Sequence, residues 1–155
     1  MNEVSIKTIG GFRILLKGRE LPFSNTASEF LSLLVCMRGG KVTAKSDWEI
    51  VYKDEGKPYS AKYYMNHTNG LLEELALFGL SDIVRFGTQP IRSCRLILNK
   101  VDCDYFDMLE NKIDIQPKEL FLPEYEWAQK LYCSSLEELR NAAKMRRIYR
   151  HIIFP

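Results

Sequence analysis

Residues 60–79 read SAKYYMNHTNGLLEELALFG, and their spacing decides how the middle of the chain folds. At about 100° per residue, seven side chains fall on one stripe, which is typical of a helix that lies on a hydrophobic core. The stripe consists of Ala61, Tyr64, Met65, Thr68, Leu71, Leu72 and Leu75. The opposite side carries Lys62, Tyr63, Asn66, Gly70, Glu73 and Glu74, with His67 and Asn69 on its flanks. A helix over residues 60–78 is therefore predicted, with a polar face that either binds a partner or faces water.

Two further helices are predicted ahead of this stretch. The TASE segment (26–29) matches a capping box, in which a hydroxyl and a carboxylate three residues apart satisfy free N–H groups at a helix start. An apolar run with helical spacing follows it, so a first helix is predicted over residues 27–38. A second, short helix is predicted through DWEIVY (47–52), capped by either Thr43 or Ser46.

Short strands are predicted on both sides of the three helices. VSIKTIGGF (4–12) and RILLKGRELPF (13–23) combine β-branched and aromatic residues with turn glycines, which indicates a small antiparallel sheet. DIVRFG (82–87) and IRSCRLIL (91–98) are β-favouring runs joined by a turn with Gly and Pro, which predicts a hairpin. The expected order is two strands, three helices and a hairpin, which defines an α+β fold.

The character of the sequence changes after the hairpin. Residues 1–98 hold 13 basic and 10 acidic side chains. Residues 101–138 hold 3 basic and 10 acidic side chains, and residues 139–155 hold 5 basic side chains and no acidic one. An acidic amphipathic stretch, a Pro-containing connection and one long helical pattern make up this last part. We therefore predict one domain over residues 1–100 and a helical extension over residues 101–155.

Composition limits the class of protein. With 155 residues and 46% hydrophobic side chains the chain can fill a core, and its net charge of +2 indicates no particular partner. The N-terminus lacks a signal peptide, and no apolar run approaches the roughly 18 residues of a membrane span, so a cytoplasmic protein without membrane contact is expected. The cysteines form no CxxC pair and are predicted to be reduced core thiols. They are Cys36, Cys94, Cys103 and Cys133.

Neither a catalytic motif nor a metal site is apparent in the sequence. GxSxG, GxxxxGK[ST], HExxH and GxGxxG are all absent, and there are only two histidines. An acidic run comprises Asp102, Asp104, Asp107 and Glu110. It does not converge on one helical face and lacks the glycine and the bidentate glutamate of a calcium loop, so we interpret it as the solvated start of a helix. No enzyme, metal, cofactor or small-molecule substrate is expected.

Four segments, taken in order, resemble parts of one known family. IKTIGGFRILLKGRELPF (6–23) is similar to its opening sheet, and ASEFLSLLVCMRGGKVTAKSDWEIVY (27–52) to its first two helices. LILNKVDCDYFDML (96–109) resembles its closing strand and the entry to the next domain, whose first helix is similar to LPEYEWAQKL (122–131). The family is the winged helix-turn-helix effector domains of the OmpR/PhoB type, in the SARP branch of bacterial transcriptional activators.

The resemblance implies a cytoplasmic transcriptional regulator, such as a response regulator, that binds double-stranded DNA. Helix 60–78 would be the recognition helix in the major groove, and the hairpin 83–98 would be a wing on phosphates. The implied DNA-binding residues are Lys62, Tyr63, Asn66, His67, Asn69, Arg85, Arg92 and Arg95. The segment 101–155 would be the start of an activation domain that contacts RNA polymerase or a second copy of the chain.

One departure from the family pattern supports an alternative. Family recognition helices carry arginines where this chain has Leu72, Glu73 and Glu74. Two carboxylates at that place repel phosphates. The alternative is a degenerate winged helix that serves as a protein-interaction or dimerisation module.

Overall fold

The structure describes residues 2–43, 49–54, 61–89, 91–134, 136, 138 and 141 of the computed structural model. These residues form two β-sheets, five α-helices and three short 3-10 helices. The helices are α1 (Asn25–Cys36), α2 (Glu49–Asp54), α3 (Ala61–Leu77), α4 (Asp104–Leu109) and α5 (residues 126–134). The strands are β1 (Val4–Lys7), β2 (Arg13–Leu16), β3 (Arg19–Glu20), β4 (Val42–Thr43), β5 (Val84–Gly87), β6 (Ser93–Leu96) and β7 (Val101–Cys103). The predicted α+β class is confirmed.

The first sheet joins strands that are far apart in the sequence. Its strand order is β3-β2-β1-β7. β1 runs antiparallel to β2, with Val4 opposite Leu16, which confirms the predicted N-terminal pair. β7 lies parallel to the other edge of β1, with Val4 opposite Val101. The division between residues 1–100 and 101–155 stays a prediction, and strands from both sides of it share this sheet.

The second sheet is built on the predicted hairpin. β5 and β6 pair antiparallel with Val84 opposite Leu96, and β4 pairs with the other edge of β6. Val84, Cys94 and Leu96 are buried. Because neighbouring side chains in a strand point to opposite faces, Arg85 and Arg95 lie opposite each other on the face away from these buried groups.

Helix α1 begins earlier than its sequence predicts. Its N-cap is Ser24, whose hydroxyl oxygen accepts a hydrogen bond from the N–H of Ala27 at 3.2 Å. The predicted cap Thr26 is wrong, because it already lies inside the first turn. The predicted left-handed glycine stop is confirmed in part: Gly39 has a φ of 86°, but Arg38 before it, with a φ of 52°, is the first left-handed residue beyond the helix, and Gly40 is not left-handed. Ser24 is itself held by Glu74 of α3, so the start of α1 depends on another helix.

Most of the predicted apolar stripe of α3 is confirmed. Its fully buried members are Tyr64, Thr68, Leu71 and Leu75. The Tyr64 hydroxyl also donates a hydrogen bond to the carbonyl of Val42 at 2.8 Å, which joins α3 to β4. The prediction for Met65 is wrong, because this residue lies at the edge of the stripe and is 36% exposed. Gly79, with a φ of 70°, follows the helix as predicted.

Residues beyond β7 contribute a cluster of aromatic rings to the core, and Phe121 of this cluster pairs with Ile9 just beyond β1. The Phe121 ring stacks on Tyr132 with centroids 4.5 Å apart and lies 4.7 Å from the Tyr105 ring. All three side chains are fully buried, and the Tyr132 hydroxyl donates to the Gln116 carbonyl. Trp127 on α5 is also buried. This segment therefore shares a hydrophobic core with the rest of the chain.

Carboxylates of the same segment accept hydrogen bonds from the N-terminal backbone. Asp104 accepts from the N–H groups of Thr8 at 3.0 Å and Ile9 at 3.1 Å, and from the Thr8 hydroxyl at 2.6 Å. Glu124 accepts from the N–H of Phe12 at 3.0 Å. The interpretation of the acidic run as a solvated helix start is therefore wrong for Asp104, because its oxygens satisfy the backbone just beyond β1. It is also wrong for Asp102, which lies in β7 and accepts hydrogen bonds from Asn2.

Three of the four cysteines are buried core thiols, as predicted. Burial raises the pKa of Cys94 and Cys103 to about 12 and also raises the pKa of Cys36, so these groups stay protonated at neutral pH. The prediction is wrong for Cys133, which is exposed on α5. The predicted cap Ser46 and the helical pattern over residues 142–155 lie outside the described residues.

Candidate nucleic-acid interface

A line of polar side chains runs along the exposed side of α3. Lys62, Asn66 and Asn69 are exposed, and their spacing of four and three residues places them one above another on the helix. Glu73 is exposed and continues the same line. None of these four side chains has a hydrogen-bond or ion-pair partner within the described ranges. We call them the polar stripe of α3.

Tyr63 and His67, predicted to contact DNA with the others, do not belong to this stripe. Their rings lie 4.2 Å apart, and His67 Nδ1 is 2.9 Å from the Tyr63 carbonyl oxygen one turn earlier. Tyr63 is half-buried and His67 is only 6% exposed. The predicted position of His67 on an exposed flank is therefore wrong, because its ring packs along the helix instead of projecting outward.

Three arginines lie on the hairpin beside α3. Arg85 and Arg92 are exposed, and Arg95 is half-buried. None of the three has an ion-pair partner among the residues that the structure describes. Lys100 differs, because its Nζ lies 3.7 Å from an Asp82 carboxylate oxygen. The hairpin therefore presents three positive charges that remain available for an anion.

A groove separates α3 from the hairpin and brings two predicted site residues together. Its volume is about 180 Å³. Asn69 contributes to the wall formed by α3, and Arg92 contributes to the wall formed by the hairpin. The remaining lining residues are Tyr64, Thr68, Leu72, Phe86, Gly87, Thr88 and Ser93. An amide and a guanidinium thus line one narrow surface cleft.

The two adjacent glutamates of α3 occupy different environments. The Glu74 carboxylate accepts hydrogen bonds from the Ser24 N–H at 2.7 Å and from the Ser24 hydroxyl at 2.5 Å. It is therefore directed toward the start of α1. Glu73 has no such partner in the described part of the chain and stays on the polar stripe. Only one of the two adjacent carboxylates thus belongs to the polar stripe of α3.

A second cavity, of about 350 Å³, lies beside β7 and α4. Its two basic lining residues are already paired, Arg38 with Glu138 at 2.9 Å and Lys112 with Glu110 at 2.8 Å. Cys103 also lines it and stays protonated because burial raises its pKa to about 12. Across the described residues there is no cluster of three or more side chains that could hold a metal ion.

Comparison with protein-family models, with curated proteins and with solved structures finds no match to the chain. The resemblance to OmpR/PhoB-type domains of the SARP branch therefore stays a prediction that rests on sequence segments and element order. Among the helices that the structure describes, none combines the length and the apolarity needed to cross a bilayer.

Proposed function

We propose that the chain is the DNA-binding module of a transcriptional regulator, built as a winged helix-turn-helix of the OmpR/PhoB type. In this proposal α3 lies in the major groove, and the hairpin of β5 and β6 is the wing. The order of the elements supports it, because a sheet, three helices and a hairpin follow one another as in that family. The pairing of β4 with β6 joins the segment between α1 and α2 to the wing.

The unpaired basic side chains on two adjoining elements support the proposal most strongly. Lys62 on α3 and the arginines of the hairpin lack an ion-pair partner within the described residues. Lysine and arginine neutralise DNA phosphates and release condensed counterions, which drives binding at low salt. Asn66 and Asn69 beside them carry the amide groups that form paired hydrogen bonds with adenine in the major groove.

A salt titration with a 20-base-pair duplex tests the proposal. If Lys62 and the three arginines each neutralise one phosphate, log K should fall with log salt at a slope of about −3.6. Replacing Lys62, Arg85 or Arg92 by alanine should each reduce that slope by about 0.9. Lys17→Ala is the matched control, because Lys17 lies in the turn between β2 and β3, beside Glu3, and its replacement should leave the slope unchanged. Absence of binding at low salt, or a slope near zero, would contradict the proposal.

A second candidate function is favoured by exposed aliphatic side chains on the same two elements. Leu77 at the end of α3 is 79% exposed, and Ile91 in the hairpin turn is 59% exposed. Such groups suit a protein contact, with RNA polymerase or with a second copy of the chain. In that case sedimentation should show a concentration-dependent dimer or complex that Leu77→Ser weakens. The same protein should then show no salt-dependent binding to the duplex.

A further inference from the structure

Glu73 is difficult to reconcile with a surface that only neutralises phosphates. It is exposed, it has no partner within the described ranges, and it lies on the polar stripe of α3. A carboxylate near a phosphate backbone weakens binding through like-charge repulsion. Glu74, its neighbour, is explained by its hydrogen bonds to Ser24, but Glu73 has no such structural role.

The geometry of the stripe aligns Glu73 with the two asparagines. Steps of three and four residues keep Asn66, Asn69 and Glu73 within about 40° of one line along the helix. From Asn66 to Glu73 the axial distance is about 10 Å, at 1.5 Å per residue. Successive bases along one DNA strand are about 3.4 Å apart, so this distance corresponds to about three base-pair steps.

The chemistry of the major groove offers a partner for each of these groups. Adenine presents an acceptor and a donor that match the amide of asparagine, and the N4 amino group of cytosine donates to a carboxylate. A carboxylate at the floor of the groove can accept this hydrogen bond, whereas the phosphates line the edges. We propose that Glu73 is a specificity-determining residue that selects cytosine, within about three base pairs of adenine bound by Asn66 or Asn69. This inference rests on the proposed DNA-binding function.

The inference can be tested by selection from a pool of 20-base-pair duplexes with a randomised centre, followed by sequencing of the bound fraction. The wild-type chain should enrich cytosine at one position close to an adenine. Glu73→Gln should change the preferred base there from cytosine to adenine by about tenfold, because glutamine pairs with adenine as asparagine does. Glu73→Ala should remove the preference at that position and increase the affinity for arbitrary duplexes, because a like charge is lost.

Glu119→Gln is the matched control, because Glu119 is exposed and lies outside α3 and the hairpin, and its substitution removes the same charge. It should leave the cytosine preference unchanged. If Glu73→Gln gives the wild-type base profile, or the wild-type chain enriches no cytosine, the role of Glu73 is overturned. Salt-dependent binding of the wild-type chain in the duplex titration would still support the proposed function. Failure of the wild-type chain to bind any duplex at low salt would overturn both.

Discussion

The first sheet and the α3–hairpin surface differ in whether their charged side chains have partners inside the molecule. Around the first sheet, carboxylates are engaged inside the molecule: Asp102 accepts from the backbone N–H of Asn2 at 3.1 Å, and Asp104 accepts from Thr8. On α3 and the hairpin, Lys62 and Arg92 have no partner within the described residues. Where polar groups satisfy each other, they hold the fold, and where they remain unsatisfied, they are available to another molecule.

This difference also changes how the acidic segment is understood. Its net charge of −7 over residues 101–138 suggests a surface that repels DNA. Some of its carboxylates instead accept hydrogen bonds from N–H groups of the connection between β1 and β2, as Asp104 and Glu124 do. Charge counted along a sequence is therefore a poor guide to charge on a surface, because it does not distinguish structural acceptors from solvated ones.

The largest expected effect comes from truncating Phe121 in the aromatic cluster beside the first sheet. Phe121→Ala removes a fully buried ring that packs on Tyr105 and Tyr132. The free energy of unfolding should fall by about 4 kcal/mol, measured by urea denaturation. Leu120→Ala is the control, because Leu120 is 42% exposed, and its cost should stay below about 0.5 kcal/mol. Equal losses for both variants would show that the cluster does not stabilise this region.

Asp104→Asn should have the next largest effect, because it places an amide donor opposite N–H groups. The carboxylate accepts from Thr8, Ile9 and Tyr105, and one of its oxygens would become an NH₂ group. We expect a loss of about 3 kcal/mol in the free energy of unfolding. Asp107→Asn, in the same helix, should cost less than about 1 kcal/mol. If the two substitutions lower the free energy of unfolding equally, the hydrogen bonds that Asp104 accepts do not make it more important for stability than a solvated carboxylate.

Ser24→Ala tests the helix cap that links α1 to α3. It removes the acceptor for the Ala27 N–H and the hydroxyl that donates to Glu74, and thermal denaturation should show a loss of about 1 kcal/mol. Thr26→Ala should change the stability by less than about 0.5 kcal/mol, because Thr26 is exposed within the first turn. A larger loss of stability for Thr26→Ala would show that Thr26 caps the helix, as the sequence pattern indicates.

Arg85→Gln should have the smallest effect on stability. It tests whether a hairpin arginine serves binding and not the fold. Arg85 lies opposite Arg95 across the hairpin, so the substitution relieves repulsion and should raise the free energy of unfolding by up to about 0.5 kcal/mol. The same variant should lose about 0.9 of the salt slope for duplex binding. In a double-mutant cycle, Arg95→Gln should not raise the free energy of unfolding further once Arg85 has been replaced by glutamine. A clear loss of stability would mean that Arg85 has a structural role.

The helices and the hairpin could be predicted because their signals are local. The stripe of α3 follows from side-chain spacing within one segment, as the burial of Tyr64, Leu71 and Leu75 confirms. The hairpin follows from two β-favouring runs and a turn between them. The exposed members of the candidate site, such as Asn66 and Asn69, follow from the same helical spacing.

The remaining features depend on contacts between distant residues and leave no local signal. Asp104 is 96 positions from Thr8 in the sequence, so its role as an acceptor could not be inferred from its neighbours. The difference between Glu73 and Glu74 likewise depends on Ser24, which is 50 positions from Glu74. His67 is covered by its contact with Tyr63, which a helical wheel does not represent because it ignores the direction of the ring.

The parallel pairing of β1 with β7 has a consequence for synthesis on the ribosome. β1 can pair with β2 as soon as residue 16 has emerged, but its other edge must wait for residues 101–103. At 5–20 residues per second, that edge stays open for roughly 4 to 17 seconds. During this interval it can pair with a neighbouring nascent chain, so the rate of translation sets how long the protein is exposed to misassembly.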